Sequence, residues 1–261
     1  MAAGTLSLRQ RVMRRDVWWL EPLVIAGVLG TFVVYSTFAA LANAHYYVAP
    51  YLSPLYSPCI SANCAHLTFG VPVIGEWWNL APAIWILGFP LAFRATCYYY
   101  RRSYYRAFFL APPACAVPDV RSSYGGETKF PFVLQNIHRY AWYAAVVFIF
   151  ILSYDALLAF TFPTASGVAF GVGLGTVMMT TNVVLLALYT FSCHSCRHLC
   201  GGFLDRFQGR PFWYRLWSGV TRLNARHGLF AWLSLFGVAL TDLYIRLLSM
   251  GVIPSDPRIL F

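Results

Sequence analysis

The chain has 261 residues, of which 59% are hydrophobic and 11% charged, and its formal net charge is +10. Its apolar residues form stretches long enough to cross the hydrocarbon layer, which takes about 20 residues each, so a water-soluble protein is excluded. The basic residues flank these stretches and do not form one basic domain, which indicates contact with anionic lipid and no nucleic-acid partner.

Apolar stretches predict transmembrane helices rather than a barrel. The first stretch is too long, and lacks the small-residue cleavage site, for a removed signal peptide. We therefore predict an all-α fold in which residues 1–261 form a single membrane-anchor domain with a bundle of five helices. The predicted spans are about residues 21–45, 78–100, 138–162, 170–193 and 229–250.

Basic residues are distributed unevenly between the two sides of this bundle. With the N-terminus in the cytoplasm, the inner segments hold the arginines and the two outer loops hold no Lys or Arg. This asymmetry is typical of positive-inside topology and predicts a multi-pass protein of the cell inner (plasma) membrane. The C-terminus would then lie outside.

Two patterns on the outer side concern packing. Cys59 and Cys64 lie in the first outer loop, where an oxidising compartment favours a disulfide between them. Gly171, Gly173 and Gly175 begin the fourth predicted span, and their spacing predicts close contact between helices.

The third and fifth predicted spans begin alike, with His138 and His227 near their cytoplasmic ends. An asparagine precedes each histidine closely, Asn136 and Asn224, and could cap the helix. Both helices run from inside to outside. The two histidines are therefore expected at the level at which the fourth span delivers Cys193.

Residues 193–200 read CHSCRHLC and contain five potential metal ligands. Thiolate and imidazole suit iron–sulfur clusters, zinc and copper. A Rieske-type [2Fe–2S] centre takes two Cys on one iron and two His on the other. Helical periodicity places Cys193, Cys196 and Cys200 on one stripe, and His194 and His198 on another. We predict a ligand set of Cys193, Cys196, His138 and His227.

Other ligand sets remain open. His138 and His227 alone could hold a b-type haem, and a zinc site could use His194 with His198. A chain that unwinds after Cys193 would let His194 or His198 bind the cluster, and Cys200 is an alternative thiol. The simplest alternative is that the cysteines are packing or lipidated thiols with no cofactor.

Ionisable residues inside the predicted spans need partners or a cavity, because burying a charge in lipid is costly. Asp155 and Asp242 could line a proton route. Pairing with Arg94 or Arg246 explains them equally well.

Five spans, His45 at the outer end of the first and the ligands at the inner end of the fourth together resemble the membrane anchor of succinate dehydrogenase and fumarate reductase. In that family, His pairs hold haem. Here the second span offers Cys97 where an inner His would be expected. The chain therefore looks like an actinobacterial-style, SdhC-like anchor in which the usual haem is absent or replaced.

The resemblance implies a flavoprotein subunit that oxidises succinate, an iron–sulfur subunit that relays electrons to the anchor, and quinone reduced at the inner surface. Trp18, Arg139 and Tyr140 are the candidate quinone-binding residues. Two rival functions are a haem b anchor of another quinone-linked dehydrogenase and a quinone-linked thiol oxidase that uses Cys59 and Cys64.

Overall fold

The structure is a computed structural model that describes residues 16–78, 80–119, 128, 130 and 132–261, and most of these residues are helical. A 3-10 helix, Phe132–Ile137, leads directly into the fourth α-helix. The α-helices are α1 Leu20–Leu41, α2 Ala83–Thr96, α3 Tyr98–Phe108, α4 His138–Leu158, α5 Leu174–Phe191, α6 His194–Cys200, α7 Pro211–Asn224 and α8 His227–Ser249.

Short strands accompany the helices, so the fold is mainly but not purely α-helical. They are β1 Tyr47–Val48, β2 Tyr51–Leu52, β3 Thr161–Thr164, β4 Gly167–Gly173 and β5 Arg258–Leu260. β1 and β2 form an antiparallel pair, and β3, β4 and β5 form an antiparallel sheet in that order. The sheet therefore joins the link between α4 and α5 to the segment after α8.

Four helical segments in the described part of the chain are long and apolar enough to cross a membrane, namely Leu20–Leu41, Val133–Leu158, Leu174–Phe191 and His227–Ser249. Each falls within or largely overlaps a predicted span. The predicted span 78–100 differs, because α2 has only 14 residues and the chain becomes extended at Cys97 before α3 begins. The count of five spans and the cytoplasmic N-terminus stay predictions.

The chain divides into two compact units, one of residues 1–35 and 94–137 and the other of residues 36–93 and 138–261. In the described part of the first unit, Arg94 Nη1 donates to Tyr100 Oη at 2.5 Å, and Gln135 Nε2 donates to Tyr104 Oη at 2.8 Å. The second unit contains α4, α5 and α8, which pack side by side. The single membrane-anchor domain stays a prediction.

The packed helices α4, α5 and α8 have two distinct ends. The end at which α5 finishes and α4 and α8 begin is the Cys193 end. The opposite end carries the disulfide that joins Cys59 to Cys64 and is called the disulfide end. A buried loop covers it, since Tyr51, Tyr56 and Cys59 are at most 1% exposed.

Serines of this loop bind the carboxylates buried in the helices. Ser57 donates to Asp155 in α4, and Ser53 donates to Asp242 in α8. Asp242 also pairs with Arg246 Nε at 2.8 Å. Of the two explanations open for Asp242, the structure therefore gives the pairing with Arg246.

The glycines of residues 171–175 serve strand and loop packing, so the predicted helix–helix contact is wrong for Gly171 and Gly173, which lie in β4. A Cβ on Gly171 would lie 2.8 Å from the Ile259 carbonyl oxygen in β5. A Cβ on Gly175 would lie 2.5 Å from Tyr51 Cε2. The sequence pattern misleads because close approach of a strand needs small residues as much as helix packing does.

Asp256 fastens the segment after α8 to the disulfide end. Its carboxylate accepts hydrogen bonds from Tyr51 Oη at 2.6 Å, Tyr244 Oη at 2.5 Å and the Gly175 N–H at 3.0 Å. Burial, followed by the nearby Asp256 carboxylate, raises the pKa of Tyr51 above its ordinary value. Tyr51 therefore remains a phenol that can donate.

Replacing Asp256 by Ala should lower the free energy of unfolding by about 3 kcal/mol, because three part-buried donors lose a charged acceptor. Thermal or SDS-induced unfolding of the purified protein measures this. Asp205→Ala, at an exposed carboxylate, is the control and should change stability by less than about 0.5 kcal/mol. Equal effects of the two changes would contradict the anchoring role of Asp256.

Candidate metal centre

The chain leaves its helical path between α5 and α6. α5 ends at Phe191, Ser192 caps it, and Cys193 adopts extended backbone angles before α6 begins at His194. The predicted common stripe of Cys193, Cys196 and Cys200 is therefore wrong, because one regular helix does not run through them. Cys193 instead points back into the bundle and is fully buried.

Three potential ligands meet at this break. His138, the first residue of α4, places Nε2 3.1 Å from Cys193 Sγ, and His194 Nδ1 lies 3.9 Å from the same sulfur. The ligand atoms of these three residues all lie within 4.8 Å of one another. His138 and Cys193 are buried, whereas His194 is exposed. The structure thus brings together two predicted ligands and one of the alternates.

Aromatic rings line the buried side of the cluster. Phe93 stacks on His138 with ring centroids 5.1 Å apart, and the His194 ring stacks on His138 at 5.3 Å. Tyr189 packs against Phe93 at 5.1 Å. Sequence reasoning missed Phe93 and Tyr189, because an aromatic residue in an apolar span carries no signal that separates it from ordinary packing.

Cys196 and Cys200 form a second pair of thiols one turn further on. Their sulfur atoms are 3.7 Å apart, and Cys196 is buried. Burial, with Cys200 next to it, raises the pKa of Cys196 to about 12, and Cys193 adds to the shift. Cys196 is not among the three residues whose ligand atoms meet within 4.8 Å. Without a cation, its thiol keeps its proton.

His227 begins α8 at the same end. Its Nδ1 lies 2.7 Å from Ser192 Oγ, and its ring stacks on Tyr189 at 5.0 Å. Asn224 Nδ2 donates to the Ser192 carbonyl at 2.8 Å. Arg226, not Asn224, occupies the position before α8, so the predicted helix cap by Asn224 is wrong. Asn224 instead hydrogen-bonds to the residue that ends α5.

The remaining predicted residues are spread more widely. Arg139 Nη2 lies 3.4 Å from His198 Nδ1, and its guanidinium lies 5.9 Å from the centre of the Phe203 ring. Tyr140 is 73% exposed. Trp18 is half-buried in the turn before α1, within the first unit. Their roles in quinone binding stay predictions.

The donors at the Cys193 end fit a metal centre. They offer thiolate sulfur and imidazole nitrogen, which are the ligands of zinc and of Rieske-type clusters. His138, Cys193 and His194 are close enough to share one ion. A two-iron Rieske centre needs two thiols and two imidazoles, and the predicted ligands Cys196 and His227 lie at the same end of the bundle but outside this group of three.

Comparison with known proteins gives two matches. The family model of the actinobacterial succinate dehydrogenase subunit SdhC matches residues 20–251. A chain of the Mycobacterium smegmatis Sdh1 complex in the apo form has 44% sequence identity and a TM-score of 0.87, with 100% of this chain and 98% of that chain covered. No curated protein matches the chain.

The family match spans the whole of α1 to α8 and includes each of the candidate ligands. The resemblance to an actinobacterial succinate dehydrogenase anchor is therefore confirmed. The chain belongs to the family of the actinobacterial succinate dehydrogenase subunit SdhC, a membrane subunit of that enzyme.

Proposed function

We propose that this chain anchors succinate dehydrogenase to the membrane and relays electrons from a soluble iron–sulfur subunit to quinone through a Rieske-type [2Fe–2S] cluster. The observation that carries the proposal is the meeting of His138, Cys193 and His194 within 4.8 Å at one end of the bundle. Packing alone does not require two imidazoles to face one buried thiol.

In this assignment, Cys193 and Cys196 hold one iron. His138 and either His227 or His194 hold the other. The cluster supplies one-electron transfer, and His ligation places its potential at roughly −150 to +300 mV, above that of all-Cys plant-type clusters. Such a potential suits a carrier that precedes a quinone.

The surrounding residues keep water from one side of the centre and leave the other side open. Phe93 covers His138, and Tyr189 covers His227. His194 is exposed, so electrons and quinone would approach from its side. Arg139 beside His198 gives that side a positive charge, which would stabilise a reduced, anionic quinone head group.

The proposed partners are a flavoprotein subunit and an iron–sulfur subunit of succinate dehydrogenase, in the cell inner membrane. The similar Mycobacterium smegmatis chain comes from an Sdh1 complex, which supports assembly with other subunits. Trp18, Arg139 and Tyr140 remain the candidates for quinone binding, with Arg139 the best supported because of its contact with His198.

Two alternatives receive less support. A haem between His138 and His227 would need their nitrogens on opposite faces of one porphyrin, whereas His138 Nε2 faces the Cys193 sulfur. A thiol oxidase would need reactive outer cysteines. Cys59 is fully buried in its disulfide with Cys64, which suits a structural bond.

His138→Ala, and the double change of His138 and His227 to Ala, should both abolish quinone reduction, because each variant lacks the iron ligand His138. Succinate oxidation by an artificial dye should stay intact, since the dye takes electrons before the anchor. Both activities are measured on the purified complex, with subunit content determined by gel. Quinone reduction at the wild-type rate in both variants would contradict the proposal.

Replacing Cys193 by Ser should remove iron and acid-labile sulfide in equal amounts and abolish a Rieske-like signal in electron paramagnetic resonance. Cys97→Ser changes another buried thiol outside the cluster and should leave both unchanged. A wild-type complex that contains zinc in place of this iron, or that shows a haem Soret band lost with His138→Ala, would overturn the cluster assignment.

A further inference from the structure

The helix α7 packs onto α6 and the end of α5 through one face. Trp213 belongs to this face, since a Cβ on Gly202 would lie 2.7 Å from Trp213 Cδ2. The Arg197 guanidinium of α6 lies 4.6 Å from the centre of the Trp217 ring, and Arg197 Nε donates to Thr221 Oγ1 at 3.0 Å. These contacts fix which side of α7 faces the bundle.

The opposite face of α7 is basic. Arg215 and Arg222 are seven residues apart, so they share one face and lie about 10 Å from each other along the helix axis. Helical periodicity places this face opposite to Trp213 and Trp217. Both arginines are exposed, and neither makes an ion pair or hydrogen bond with the residues that the structure describes. α7 itself contains no Asp or Glu, so its positive charge is uncompensated along its length.

An apolar stripe runs between the packed face and the basic face. Phe212 and Leu216 form it with Leu223, and they are 64% and 40% exposed. None of the 14 residues of α7 is buried. Exposed apolar side chains next to a row of arginines are typical of a helix that lies in the membrane–water interface. The long arginine side chains can then reach the phosphates while their stems cover apolar surface.

The position of α7 in the chain places it beside the membrane. α8 begins at His227, three residues after the end of α7, and it is long and apolar enough to span a bilayer. Leu229 and Leu233 in its first two turns are 55% and 41% exposed. The apolar surface that faces lipid therefore begins directly after α7, and the arginines of α7 lie near the level of the phospholipid head groups.

We propose that α7 is an interfacial helix that binds anionic phospholipids at the Cys193 end of the bundle. Phe212 and Leu216 lie among the acyl chains, and Arg215 and Arg222 bind the phosphates. This role goes beyond electron transfer and does not depend on which metal the Cys193 end holds. Because Arg197 joins α6 to α7, the bound lipid also supports the short helix that begins with His194.

Photo-crosslinking identifies what covers α7. p-Benzoylphenylalanine is incorporated in place of Phe212, and the whole complex is placed in nanodiscs of equal phosphatidylglycerol and phosphatidylcholine. After illumination, mass spectrometry of the chain should show phospholipid adducts with more phosphatidylglycerol than phosphatidylcholine. The same label at Phe261, which is 78% exposed at the disulfide end, supplies the reference ratio. A second preparation carries the label at Leu216, so the test does not depend on the assembly of one variant.

Changing the arginines tests their part in lipid selection. In the labelled complex, the double change Arg215→Gln and Arg222→Gln should lower the ratio of the two lipid adducts by about 30-fold, since each basic residue near an anionic surface contributes about fivefold. The double change to Lys keeps both charges and should keep the ratio.

Three results would overturn the proposal. The first is the absence of lipid adducts at both labelled positions. The second is an adduct of Phe212 or Leu216 with another protein subunit, which would show that a protein covers this face. The third is an adduct ratio that is the same in the Gln variant as in the wild type.

Discussion

The interruption of the helix at Ser192 and Cys193 decides what the Cys193 end can do. A continuous helix would have carried Cys193 onto the stripe of Cys196 and Cys200, away from His138. The extended backbone at Cys193 turns its sulfur toward α4 and places His194 beside it. The same interruption leaves the Ser192 hydroxyl facing His227. One local change of backbone conformation therefore brings residues of three helices to a common point.

Contacts at the disulfide end hold together the three helices that carry the residues of the Cys193 end. There the loop serines, Asp256 and the three-stranded sheet tie the far ends of α4, α5 and α8 together. Polar groups buried among helices fix one relative register, since a slip would leave them without hydrogen-bond partners. The helices that carry the ligands are thus held in one register from their opposite ends, and the spacing of ligands must hold to about 0.5 Å.

Long apolar stretches, the family resemblance and the positions of His138 and Cys193 were predictable from the sequence. Length and hydropathy determine a span almost without tertiary context, and ligand residue types are few. The break at Cys193 was weighed only as an alternative to a continuous helix, because Ser and Cys have no strong preference against continuing a helix. Phe93 and Tyr189 were also missed. Their importance depends on which helix lies opposite, and periodicity within one segment does not contain that information.

The ion pair of Asp242 with Arg246 has a consequence for a protein in an energised membrane. Arg246 also donates to the carbonyls of Ala39 and Ala44, both at 2.8 Å. Moving a lone elementary charge across the whole membrane changes its energy by about 2.3 kcal/mol per 100 mV. Opposite charges 2.8 Å apart nearly cancel that work. The pair can therefore lock α8 to the end of α1 with the same strength whether the membrane is polarised or not.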